Sequence, residues 1–324
     1  VLGAGVLVLF PALTVRMFAH TALAANWLVL LALYLWLRSD ELMPTTRSAC
    51  LIWGGMGLLC AGIHLYYLPM VGLVLVGYAV RRALQKRGFA AAMLPVAAFC
   101  VTALAELFLL GAFAVNFAGY SNGYLSGADV VNLFVPGIAA SWEQIVYAGL
   151  GTTLAVVLAL VCAAVHFSKA KAFFAAHRDW LIAGVVVLVL DLIAAGGNTV
   201  TVAGHTLFTV PIPQPLMDFW AMFSSCARLA WLAGMLLAVV GCGLVLRFWE
   251  GDNRAPAVLL AVCAAAQGWG LRQTLYNQWS YFHAAGFYQN NSQLRDPAWD
   301  DIAASGKYSH LAFATFDFEH DEFW

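Results

Sequence analysis

Arg16 and His20 stand four residues apart, so on a helix both side chains project from one face. A guanidinium offers a planar fork of donors and an imidazole can add another, a pairing that suits a phosphate or pyrophosphate. Arg228, in Cys226-Ala-Arg-Leu-Ala-Trp231, starts another apolar run and invites the same reading. The bland alternative for each arginine is a charged end snorkelling to lipid headgroups. Three more ionisable residues interrupt apolar runs: His64 in Ile63-His-Leu-Tyr-Tyr67, Glu106 in Ala105-Glu-Leu-Phe108, and Asp191 in Leu190-Asp-Leu-Ile193. A carboxylate at membrane depth costs a few kcal/mol, so it turns toward a partner or an aqueous cavity. Arg16 and Arg228 are the expected partners, and an interhelical ion pair without chemistry is the alternative. No residue nominates itself as a catalytic base.

The elements that must position these groups follow from composition. Of 324 residues, 63% are hydrophobic and 10% charged, with a mean hydropathy of +0.81. A soluble domain carries about a quarter charged residues, so this chain could not cover its surface with polar groups. Its apolar residues come in runs, and about 20 in a row suffice to cross a bilayer core. The runs predict an all-α polytopic helix bundle of about nine spans, at 2–15, 22–37, 49–64, 67–84, 90–113, 145–166, 180–195, 227–247 and 256–271. The bundle occupies 1–271, and a polar tail occupies 272–324. In the tail, Trp299 to Lys307 reads as a short helix and a turn at Gly306, followed by a strand at Tyr308–Ala314, which together open a small α/β domain. An abrupt apolar start at Val1 predicts a further part upstream.

Lys and Arg collect in cytoplasmic loops, and here the connections alternate. Arg81, Arg82, Lys86 and Arg87 mark one inside loop, and Lys169, Lys171 and Arg178 another, whereas 114–144 and 196–226 hold no Lys or Arg. The chain is therefore expected in a bacterial inner membrane, in contact with membrane lipid, with its tail outside. The two basic-free loops are rich in Gly, Asn, Pro and aromatic residues, and they can fold back to wall a cavity. They contribute Asp129 and Asp218, which with His64 are the candidate lining of that cavity.

Other signals are weaker. None of the seven cysteines forms a Cys-x-x-Cys pair, so they read as small apolar residues. Gly54, Gly55, Gly57, Gly241 and Gly243 suggest close helix packing. The chain has no basic stripe for nucleic acid. The run Asp317-Phe-Glu-His-Asp-Glu322 is a poor metal site, so no metal ligand is assigned and the cofactor requirement stays open, a divalent metal included.

Pro11 followed by Arg16 and His20-Thr-Ala-Leu23, the His64-Leu-Tyr-Tyr67 turn, the loop ending Asn132-Leu-Phe-Val-Pro136, and Pro211-Ile-Pro213 followed by Arg228-Leu-Ala-Trp231 resemble a bacterial family of multipass proteins similar to the GT-C class of membrane glycosyltransferases. That resemblance implies a sugar taken from a polyprenyl-phosphate donor at the outer face, with Arg16, His20 and Arg228 on the carrier phosphate and His64, Asp129 and Asp218 toward the acceptor. GT-C enzymes place an acidic residue in the first outer loop, but nothing acidic precedes Asp40 here, and Ala227 stands where glycine is expected. The competing expectation is a multipass transporter or lipid-carrier flippase, since transporters also hold ionisable residues at mid-membrane.

Overall fold

The computed structural model describes residues 2–17, 21–114, 127–137, 144–221, 223, 225–249, 254–283 and 297–307. In chain order the helices are α1 (Leu2–Val8), α2 (Pro11–Arg16), α3 (Trp27–Leu37), α4 (Ser39–Leu42), α5 (Thr46–Ile63), α6 (Tyr67–Leu84), α7 (Phe89–Leu109), α8 (Leu150–Val165), α9 (Phe167–Ala176) and α10 (Arg178–Gly196). A hairpin of β1 (Thr199–Val202) and β2 (His205–Thr209) follows, then α11 (Gln214–Ala221), α12 (Trp231–Phe248), α13 (Arg254–His283) and α14 (Ala298–Ala304). The chain divides into two compact units, Val1–Leu271 and Arg272–Trp324.

Among the described residues, six helices are long and apolar enough to cross a membrane: α5, α6, α7, α10, α12 with its preceding turn, and α13. The chain is read accordingly as a multi-pass helical membrane protein. The expected count of nine spans is not reached among the described residues, for local reasons. The first run breaks because Pro11 opens α2 and holds Phe10 extended (ψ 129°), as a residue before proline prefers. The second splits into a 3-10 turn at Thr21–Ala24 and the 11-residue α3. The sixth, α8, continues into α9 only through a bend of 105°. The run at 256–271 is part of α13, a single helix of 30 residues. In the second unit α14 and the positive-φ turn at Gly306 (φ 60°) stand where a helix and turn were expected; the strand at 308–314 lies outside the described residues.

Packing sets α12 and α6 at the centre. Across α12, every residue from Trp231 to Leu236 is buried, whereas α7 and α10 turn large apolar residues such as Leu104, Phe108, Val189 and Ile193 outward. An outward apolar face suits lipid rather than water. Close approach depends on some of the glycines. A Cβ at Gly57 would come within 2.5 Å of the Phe99 carbonyl oxygen, and one at Gly241 within 3.2 Å of α8, but Gly55 and Gly243 face open space.

At the far end of α6, two arginines read as loop charges prove to be buried. Arg81 donates to Asp40 (2.5 Å), Asp179 (3.0 Å) and Ser39 (3.1 Å), and Arg82 to Asp40 (2.8 Å). Arg81 also stacks 3.8 Å from the centre of Trp180. This network ties α4, α6 and α10 together, and its charges cancel locally. Lys86 and Arg87 alone remain as charges of that loop.

Candidate functional site

The other end of α6 brings together His64 and Arg228, two of the nominated residues. The backbone of His64 is extended (φ −165°, ψ 135°) and ends α5. Its Nδ1 accepts the Tyr66 N–H at 3.3 Å, so the imidazole is fixed within the connection to α6. The Tyr66 hydroxyl accepts the Ser225 N–H at 3.1 Å, and its ring lies 5.5 Å from Phe223, edge to face. The Arg228 guanidinium sits 5.1 Å from the centre of the Tyr66 ring, close enough for a cation–π attraction. Tyr66 thus joins the His64 turn to the 3-10 turn Cys226–Ala230 that carries Arg228. Burial pushes the Tyr66 phenol above its ordinary value and the Arg228 charge only partly opposes it, so the hydroxyl stays neutral.

Arg16 reaches the same helix start at Trp231. It is 3% exposed, which removes the snorkelling reading, and its guanidinium lies 6.0 Å from the centre of Trp231. Trp231 opens α12, three residues beyond Arg228. Arg16, Tyr147 and Trp231 line a cleft of about 10 Å³, room for roughly one water. Arg228 does not line this cleft, so the two arginines flank one helix start without sharing a formed cavity. Two buried donors nearby, Trp231 Nε1 and Asn26 Nδ2, have no hydrogen-bond partner among the described residues. Tyr67, which donates to the Leu23 carbonyl at 2.7 Å, stands between Asn26 and His64.

The carboxylates behave differently from expectation. Asp129 receives the Val131 N–H at 2.8 Å and the Gly204 N–H at 2.7 Å. It thereby clamps the tight Ala203-Gly204 turn of the hairpin, where both residues have positive φ, onto the loop before α8. Such two-residue turns fit the twist of paired strands. Asp191 is fully buried, and its Oδ2 accepts the Ala233 N–H at 2.9 Å. It pairs with neither Arg16 nor Arg228, and Oδ1 has no hydrogen-bond partner among the described residues. The reason lies in helix geometry: the first N–H groups of α12 have no carbonyl within their own helix, and a buried carboxylate satisfies one of them. Glu106 forms no ion pair among the described residues. Asp218 lies on α11, and His20 lies outside the described residues.

One polar residue that the sequence reading passed over is central. Gln267 on α13 is completely buried, and its Oε1 accepts the Gly151 and Thr152 N–H groups at 2.8 and 3.2 Å. Its Nε2 donates to the Leu9 and Ala148 carbonyls, both at 3.1 Å. It therefore caps α8 and covers the carbonyl freed by the break before α2. Gly149 (φ 99°) must be glycine here, because a Cβ would sit 2.2 Å from Gln267. The available signal was a lone glutamine inside an apolar run, beside Gly268 and Gly270. Among the described residues no group of three or more His, Cys, Asp or Glu is placed to hold a metal.

Residues 1–272 match the family model described as a domain of unknown function, DUF6311. The chain belongs to that family. No curated protein and no solved structure matches it. For this DUF6311 member, what the geometry offers chemically is cations and unsatisfied donors at the start of α12, with the nearest carboxylates already engaged by backbone.

Proposed function

We propose that this protein binds a phosphate-bearing lipid carrier at the start of α12 and acts as a GT-C-like membrane glycosyltransferase on a polyprenyl-phosphate sugar. The observation behind this reading is that Arg228, His64 and Arg16, far apart in sequence, converge on one helix start through Tyr66 and Trp231. Arg228 supplies the more exposed fork and Arg16 a buried positive charge beside Trp231. A helix N-terminus adds a favourable field for an anion. The site belongs on the outer face of a bacterial inner membrane, with the tail on the same side. Asp129 and Asp191 hold structure in this reading, so the base comes from elsewhere.

A second reading, a carrier flippase, rests on Asp191, a buried carboxylate within a span with one oxygen left over. A single experiment separates them: photocrosslinking of a polyprenyl phosphate to the purified protein in lipid nanodiscs, beside assays of sugar transfer and carrier movement. The expected result is crosslinking to residues of the Tyr66–Arg228 contact, reduced about tenfold by Arg228→Ala, as loss of a charge-assisted contact implies. Undiminished crosslinking in that variant sinks the site. Carrier movement without transfer, abolished by Asp191→Asn, favours the flippase.

A further inference from the structure

A second and larger cavity, of about 250 Å³, opens at the junction of α9 and the end of α12, where Lys169, Phe173, His177, Arg247 and Phe248 line it. Two of these five side chains, Lys169 and Arg247, are cationic, and no lining residue is acidic. The aromatic wall is built: Phe173 and Phe248 meet edge to face at 5.6 Å, and Phe173 stacks on His177 at 4.3 Å. Arg247 is held 5.5 Å from the centre of Phe173, which leaves its fork of donors at the cavity wall. His177 Nδ1 lies 2.9 Å from the Phe173 carbonyl; a carbonyl only accepts, so Nδ1 carries the hydrogen and Nε2 is left for another partner. The helix that supplies Lys169 and Phe173 turns 105° from the direction of α8, so α9 leaves the line of the span. It contains no acidic residue and carries Lys171 beside Lys169.

We propose that this cavity binds the phosphate of an anionic lipid headgroup, such as phosphatidylglycerol. The positive charge of Lys169 and Arg247 favours a phosphodiester lipid of net negative charge over a zwitterionic one, and the aromatic wall suits the glycerol and first methylenes that follow the phosphate. A basic pocket between helices at the end of a bundle is where such headgroups are held, and Lys and Arg stems can line it while their charged ends meet the phosphate. The proposal is independent of the site at the start of α12, since no residue is shared.

The test measures thermal stabilisation and native-mass-spectrometric binding of short-chain phosphatidylglycerol, phosphatidylcholine and glycerol 3-phosphate to the purified full chain in detergent. Phosphatidylglycerol is expected to bind at least about tenfold more tightly than phosphatidylcholine, and Lys169→Gln with Arg247→Gln should erase that preference. Lys171→Gln, a neighbouring exposed charge outside the cavity, should preserve it. Equal binding of the two lipids overturns the proposal, as does an equal loss in Lys171→Gln, which marks general surface attraction. Glycerol 3-phosphate binding as tightly as the lipid would reassign the site to a soluble phosphate and overturn the lipid assignment. Both glutamine variants lie at exposed or half-exposed positions, and unchanged unfolding without lipid checks that they fold.

Discussion

At the scale of single residues, two buried polar groups act on helix ends. Gln267 and Asp191 each reach from one helix to the first N–H groups of another, α8 and α12. Water caps such groups in a soluble protein, but a helix that starts inside an apolar bundle needs a protein partner. Gln267 uses both its oxygen and its nitrogen in this way, so an apolar replacement strands two donors and two carbonyls. Gln267→Leu is expected to lower stability by about 2–4 kcal/mol, given the cost of unsatisfied buried groups. Gln267→Glu keeps the acceptor but turns a carboxyl oxygen toward the Leu9 and Ala148 carbonyls, so it should be destabilising as well. Unfolding in detergent measures both, and a loss in Gln267→Leu within about 0.5 kcal/mol would show that the cap contributes little. The role was not legible in sequence, because a glutamine in an apolar run has no local feature that reveals which distant N–H groups it meets. Arg16 and Arg228 were legible as candidates, since arginine beside apolar runs is costly wherever it lands.

Between elements, the network of Arg81, Arg82, Asp40 and Asp179 decides how α4, α6 and α10 dock. The Arg81 hydrogen bond holds the Asp40 carboxyl below its ordinary value, against the opposing effect of burial. A depressed folded-state value means that the contribution of Asp40 is present above its unfolded-state value. It fades as pH falls through the lower, folded-state one. Asp40→Asn is therefore expected to destabilise the protein near neutral pH, and the gap from wild type should close in strong acid. A gap independent of pH would show that lost packing rather than charge is responsible. Asp40 is half exposed, so the effect at neutral pH should be modest, about 0.5–1 kcal/mol. The same network refines the loop reading: charge counting grouped Arg81 and Arg82 with the basic loop, but their spacing from Asp40 and Asp179 in sequence, 41 and 98 residues for the Arg81 bonds, hides the pairing.

For the whole molecule, orientation in the bilayer rests on the alternation of basic and basic-free connections. In a cysteine-free background, a cysteine replacing Arg87 and one replacing the exposed His205 on β2 should react with an impermeant maleimide from opposite sides. The Arg87 position is expected to label from the cytoplasmic side, and labelling of both from one side would refute the arrangement. Run length and composition alone determined that the chain is a bundle of apolar helices. The sequence reading found α5, α6, α7 and α10 within a few residues, because hydrophobic length and helix signals such as the Thr45–Ser48 capping box are local. What the sequence could not decide is which apolar runs are true spans and which residues share a site. A break at Phe10, a 105° bend after α8 and the meeting of Tyr66 with Arg228 across 162 positions depend on what each segment packs against. Those contacts are long-range, and only the folded chain brings their energies into play.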